Sequence, residues 1–190
     1  ALKYFTNPKN CNHPSLEANI AIFAAGNESA SISGYPGALP MCISVTAFGP
    51  DFLPAGYTNY GRGCNIAAPG GDLWVGALKE EDNISQILST GLSEISGDYI
   101  WMQGSSMACP HVSGVAALGV SYAGKLGKKF TDNEFKTLLL TSVNDINQFL
   151  TEGGKSFKDM WINMQTYHNR MGTGAIDAWK LLMQIEGTPS

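Results

Sequence analysis

The 190-residue chain is 44% hydrophobic and 15% charged, with a formal net charge of −4 at neutral pH, which suits one globular domain with a real core. It has no Lys/Arg block to recommend nucleic acid or an anionic membrane as partner, and no apolar run of the roughly 20 residues that a bilayer span needs. Its 22 glycines make it turn-rich, and its four scattered cysteines form no C-x-x-C pair, which argues against a zinc or dithiol site.

Residues 1–5 read as the end of a helix and carry no signal-peptide pattern, so the chain is expected to begin inside a domain. Residues 6–14, rich in Asn and Pro, form a loop. Cys11 lies in it and is the cysteine best placed for a disulfide, which an even count permits without requiring. Residues 19–25 are a short apolar run bounded by turn residues, the pattern of a strand buried on both faces. The run ends in Gly26-Asn27-Glu28, where an asparagine by itself is an ordinary turn residue. A turn over residues 34–40 precedes a second strand at residues 42–47. Residues 71–97 are polar, with an acidic turn at Glu80-Glu81-Asp82 that suits a solvated loop better than a cation site. A short strand is expected at residues 87–90.

Residues 99–103 alternate and carry aromatic and β-branched side chains, as a strand does. They lead into Gly104-Ser105-Ser106-Met107-Ala108-Cys109-Pro110-His111-Val112-Ser113-Gly114. Val112, Val115, Ala116, Leu118 and Gly119 then recur at helical spacing, on an Ala/Gly-rich face able to pack closely. Pro110 fits a first helical turn, where its missing N–H has no partner to lose. Ser106 is thereby placed at or next to a helix N-terminus, whose unpaired N–H groups and positive dipole end favour developing negative charge. That location suits a nucleophile. Cys109, on the same helix, reads as a small buried filler. Further on, Thr131-Asp132-Asn133-Glu134 is a capping box opening a helix through Phe135, Leu138, Leu139 and Val143. Residues 144–171 read as polar and irregular. Gly172-Thr173-Gly174 lacks the third glycine and βαβ setting of a nucleotide fingerprint, and a last helix runs through Gln184.

The serine stretch resembles the nucleophile motif of the subtilisin-like serine proteases (subtilases), Gly-Thr-Ser-Met-Ala-[Ser/Ala]-Pro-His-Val-[Ala/Ser]-Gly. Ser105 stands where Thr is usual, and Cys109 where Ser or Ala is usual. The resemblance identifies Ser106 as the nucleophile. Ala24-Ala25-Gly26-Asn27 is similar to the family's Ala-Ala-Gly-Asn, which makes Asn27 the side-chain donor to the oxyanion and Ala24, Ala25 and Gly26 a wall of the specificity pocket. The Gly34-Tyr35-Pro36-Gly37 segment resembles the family's Tyr-Pro segment and puts Gly34 at the pocket's base, leaving room for a large apolar side chain. Asn59-Tyr60-Gly61, Ala67-Ala68-Pro69-Gly70 and Gly172 to Ala178 match passages whose role in the family is structural. The similarity runs from about residue 19 to 185, with an insertion at roughly residues 72–85. It implies a three-layer α/β fold, a mainly parallel sheet flanked by helices and incomplete on its N-terminal side. It also implies a polypeptide substrate and secretion or cell-surface exposure. No cofactor is identified, and no residue pattern supports a structural calcium.

Hydrolysis by a serine needs a base to take its proton and a carboxylate to orient that base. In subtilases the order is Asp, His, Ser, so both partners belong upstream of Ser106. The chain contains neither Asp-[Ser/Thr]-Gly nor His-Gly-Thr-His. His111 is five residues along the same helix, turned about 140° away and raised about 7.5 Å, so it cannot reach the hydroxyl. His13 and His168 have no motif behind them. An α/β-hydrolase elbow, with Asp145 or Asp159 and His168 downstream, would require Gly-x-Ser-x-Gly. Ala108 stands in place of its last glycine, and Pro110-His111 and Asn27 would go unexplained. Residues 1–190 are therefore expected to be the C-terminal portion of a peptidase domain whose Asp- and His-bearing half is absent. The portion alone is expected to be inactive. The rival is a pseudoprotease-derived scaffold or binding module. An exposed sheet edge and apolar surface are expected to let the chain self-associate or take a partner.

Overall fold

The computed structural model describes residues 1–73, 75, 85–150, 153–157 and 160–187. The chain opens with helix α1 (Leu2–Phe5) and runs through strands β1 (Ala21–Ala24), β2 (Cys42–Phe48), β3 (Ile66–Pro69) and β4 (Ile87–Thr90). A turn of helix α2 (Ser93–Ser96) and strand β5 (Tyr99–Met102) lead into the long helix α3 (Ser105–Lys125). Helix α4 (Asp132–Thr141), strands β6 (Val143–Asn144), β7 (Gly154–Phe157), β8 (Met160–Asn163) and β9 (Ala175–Ile176), and helix α5 (Ala178–Glu186) complete it.

The main sheet has the order β1-β2-β3-β9-β6. Its first three pairings are parallel, with Ala21 opposite Cys42, Val45 opposite Ile66 and Ala67 opposite Ala175. Only β6 runs antiparallel, Val143 opposite Ile176. β1, expected to be buried on both faces, is instead an edge strand whose Ile22, Phe23 and Ala24 are half-buried. The central strand β2 is buried along its whole length, and its pleat divides it between two cores. Ile43, Val45 and Ala47 join Ile66 and Ala68 against Ala108, Val112 and Ala116 of α3, Phe135 and Leu139 of α4, and Leu181 and Ile185 of α5. Phe48, Ala67 and Ala175 face the other way, onto Ile146, Leu150, Met164, Tyr167 and Met171. Three layers result: helices, sheet, and a cover that includes the 3₁₀ turns Asn147–Phe149 and Met164–Tyr167.

That cover corrects the reading of residues 144–171 as merely polar and irregular. Its buried apolar side chains have neither helical nor strand spacing because its elements are two to four residues long. Helix α3 starts at Ser105, so Pro110 is its sixth residue and lies beyond the first turn. Lacking an N–H, Pro110 leaves the Ser106 carbonyl without its usual helical donor. Of the expected α3 face, Val112, Ala116 and Gly119 are buried, and a Cβ on Gly119 would stand 2.7 Å from Leu181 Cδ2, but Leu118 is 48% exposed because it projects away from the sheet and α5. Helix α4 opens with the capping box but stops at Thr141, and Val143 joins the sheet. All four cysteines are free, Cys11 included, and Cys109 is half-buried against the core. Burial pushes the Cys64 thiol up to about 12, far from a reactive thiolate. The acidic turn at Glu80-Glu81-Asp82 and most of the expected insertion lie outside the described residues.

Candidate active site

Strand β1 ends in a turn that another segment builds. Ala25 still donates to Val45 across the sheet (2.9 Å), but Gly26 turns the chain with φ +110°. The buried Asn59 amide holds the turn on both sides. Its Nδ2 donates to the Ala25 carbonyl (3.0 Å) and to Glu28 Oε2 (2.7 Å), and its Oδ1 accepts from the N–H groups of Glu28 (3.0 Å) and Ala30 (2.9 Å). A Cβ on Gly26 would fall 2.4 Å from Asn59 Nδ2, so the close approach requires glycine there. Asn27, next in the turn, is exposed.

Ser105 connects this turn to helix α3. Its N–H and its hydroxyl both donate to Asn27 Oδ1 at 2.8 Å, and its Oγ accepts from the Gly26 N–H at 3.2 Å. Both acceptor sites of the Asn27 carbonyl are thereby filled, which fixes the orientation of the amide. Its Nδ2 has no partner among the described residues. Ser105 is fully buried and Ser106 is exposed. The Ser106 N–H also lacks an acceptor among the described residues, while those of Met107 and Ala108 turn back to the Gly104 carbonyl (2.9 and 3.2 Å). Gly104 has φ +146°, and a Cβ on it would stand 3.4 Å from Asn27 Nδ2 and 3.7 Å from Ser106 N. Two unpaired N–H groups thus flank the space that a side chain would take.

Gly104 is supported from behind. Its N–H donates to the Gly70 carbonyl (2.9 Å), which also accepts from the Tyr57 hydroxyl (2.9 Å); the same hydroxyl reaches Gly71 O at 2.5 Å. Burial first, and the Asp72 carboxylate second, push the Tyr57 phenol well above its ordinary range, so it stays a donor.

Ser106, Met107, Pro110 and His111 share a cleft of about 320 Å³ with Ile87, Leu88 and Ser89 of β4. His111 shares the cleft but its Nδ1 is bound to the Met107 carbonyl at 2.7 Å, and Ser106 Oγ has no partner among the described residues. His13 accepts from the Ser15 N–H and lines a different cavity with Ser113, about two turns along α3 from Ser106. His168 is exposed beyond a 3₁₀ turn, and Asp145 receives the Asn147 backbone (2.8 Å) and side-chain (3.0 Å) N–H groups. Asp159 lies outside the described residues. Among the expected pocket residues, Gly34 N–H donates to Ala25 O at 2.7 Å, which brings the Gly34 turn against the end of β1 beside Ala24 and Gly26. Among the described residues, no group of three or more His, Cys, Asp or Glu side chains could hold a metal ion.

The structure thus brings Asn27 and Ser106 together. It adds Ser105, Asn59 and Gly104, to which sequence reasoning gave no part in the site. Asn59 gave the only hint, as an amide ahead of Tyr60-Gly61 in a passage read as structural.

A sequence model described as the Subtilase family matches residues 5–174. The chain is 34% identical over 136 residues to the extracellular basic protease of Dichelobacter nodosus, covering 70% of this chain and 21% of that one. It is 35% identical over 102 residues to halolysin of Haloferax mediterranei, covering 54% of this chain and 17% of the relative. Among solved structures, the prenylagaramide maturation protease PagA superposes with a TM-score of 0.64 at 25% identity, over 90% of this chain and 51% of that one. A protease from Pseudoalteromonas arctica gives 0.62 at 28% identity, over 89% and 43%. The chain spans about a fifth of the length of these curated relatives and about half that of these solved chains.

Proposed function

This chain belongs to the subtilase family, and on that premise we propose that it supplies the nucleophile and the oxyanion-binding side of a serine endopeptidase site. Ser106 Oγ attacks the carbonyl carbon of a peptide bond, and the carbonyl oxygen becomes the tetrahedral oxyanion. Asn27 Nδ2 and the Ser106 N–H donate to that oxygen. A histidine takes the Ser106 proton and returns it to the leaving amine, which departs to leave an acyl-enzyme that water hydrolyses. The observation that carries this reading is the pair of N–H groups flanking Gly104, unpaired among the described residues, beside a Ser106 hydroxyl that has no partner among them either. The positive end of the 21-residue helix α3 favours the same charge.

The histidine and its orienting aspartate come from a region upstream of residue 1. Supporting this, among the described residues none of the three histidines hydrogen-bonds Ser106 and no strand pairs with the outer edge of β1. Ala24, Ala25 and Gly26 wall the subsite for the residue before the scissile bond, and Gly34 forms its base. The name of one relative, the extracellular basic protease, supports export of the protein.

Labelling with a fluorophosphonate tests the proposal, on this chain and on the chain extended upstream, each beside Ser106→Ala. Labelling of the extended protein alone, abolished by Ser106→Ala, is the expected result. Labelling of the short chain would bring the base back to His13 or His168. Silence of the folded, propeptide-free extended protein would favour a pseudoprotease.

A further inference from the structure

The β7–β8 hairpin belongs to the excursion that sequence reading left as irregular, and two side chains of β7 reach toward the backbone behind Gly104. The Lys155 ammonium lies 2.8 Å from Asp72 Oδ2 and 3.4 Å from Asp51 Oδ2. The Lys155 and Asp72 side chains are only 10% and 1% exposed. A buried ion pair adds little net stability, because desolvation offsets most of its attraction, but it fixes position, and breaking one side of it is costly. Phe157, two residues on and so on the same face of the strand, lies directly over Gly56 and edge-on to Tyr57, with ring centroids 6.5 Å apart.

Both contacts bear on one short segment. Asp72 Oδ2 also accepts from the Gly56 N–H (3.1 Å), and the Asp72 N–H donates to Ser85 O (2.9 Å). Two residues earlier, the Gly70 carbonyl receives the Tyr57 hydroxyl and the Gly104 N–H. A displacement of residues 70–72 therefore moves Gly104, and with it the Ser105 N–H that orients Asn27 and the free N–H of Ser106.

We infer that Lys155 is a positioning residue for the oxyanion site: its buried pair with Asp72 holds the Gly70 carbonyl that seats Gly104. The inference rests on the proposed serine chemistry. Oxyanion donors act on the transition state and not on bound substrate, so their misplacement lowers kcat and leaves KM unchanged.

The test compares Lys155→Met, Lys155→Arg and the doubly neutral Lys155→Met/Asp72→Asn, which keeps an acceptor for Gly56, in the protein as encoded. Leu139→Ala serves as a variant that only destabilises. In Lys155→Met and the double variant, kcat falls about 10- to 100-fold, in the range a displacement near 1 Å produces. KM stays within about twofold, and amide exchange at Gly104 accelerates more than in Leu139→Ala matched for Tm; Lys155→Arg keeps most of the activity. If Lys155→Met does not fold, the double variant decides. A folded double variant with wild-type kcat and wild-type Gly104 protection overturns the inference. If the wild-type protein shows no Ser106-dependent labelling, the serine reading fails separately. Exchange at Gly104 then still decides whether Lys155 seats that residue.

Discussion

Ser105, not only its exposed neighbour Ser106, sets what the site can do. Its N–H and hydroxyl occupy Asn27 Oδ1 and leave Nδ2 as the amide's free end. Asn27→Ala is therefore expected to cost about 10²–10³ in kcat with little change in KM, a magnitude established for the equivalent donor in a subtilisin. Ser105→Ala removes one of the two orienting bonds and keeps the backbone one, so steady-state kinetics should show a loss of about 10-fold or less. Asn27→Asp separates shape from charge. It accepts the same two bonds from Ser105 but presents a lone pair to the oxyanion, so the thermal unfolding curve stays near that of the wild type while kcat collapses. Gly104→Ala puts a methyl group between the two donors in a strained backbone region, and fluorophosphonate labelling should slow at least as much as in Asn27→Ala. Ser106 and Asn27 could be singled out in the sequence because each sits in an ordered local motif. Ser105 could not, because its role exists only when segments 78 residues apart meet. Asn59, 31 residues from Glu28, was hidden for the same reason.

Among the elements, helices α3 and α4 were readable because capping, small-residue spacing and apolar periodicity are local. Pro110 was the exception: the expected first-turn position gave way to the sixth, because the burial of Ala108, Val112 and Ala116 keeps the helix continuous past it. The α4 capping box gives a pH signature. Glu134 accepts from the Thr131 N–H and hydroxyl, and these bonds hold its carboxyl below the usual range. Its folded pKa lies below its unfolded one. The cap's contribution is therefore complete above the unfolded carboxylate value and is lost as the pH falls through the lower folded value. In acid titrations of Tm, the gap between wild type and Glu134→Gln should close over that window. Where α3 crosses α5, Gly119→Leu must push Leu181 and Ile185 aside, and a loss of about 1–3 kcal/mol is expected by urea unfolding. The β7–β8 hairpin was invisible in the sequence because its anchors, Lys155 to Asp72 and Phe157 over Gly56, are all long-range.

For the whole molecule, the sheet order β1-β2-β3-β9-β6 leaves β1 as an edge strand among the described residues, beside a cavity lined by Leu2, Phe5, Ile22 and Val120, where Phe5 is 46% exposed. Such an edge with adjoining apolar surface invites pairing with another chain. The isolated chain is expected to elute as more than a monomer or to bind a hydrophobic dye, and upstream extension should suppress both. A dye-silent, monodisperse monomer of high Tm would count against this. The fold class was legible because the parallel strands and the long helix are set by local pattern. The layer over Phe48 was not, since its buried residues follow no period. Asn27, Gly104 and Ser106 take their geometry from contacts made entirely inside this chain. On the proposed function, that half-site is set before any base arrives, and such an enzyme is divisible in principle. A separately made segment that docks on β1 and delivers an imidazole to Ser106 would switch on turnover. The rate of hydrolysis would then count the docked pairs, turning this chain into a reporter of association.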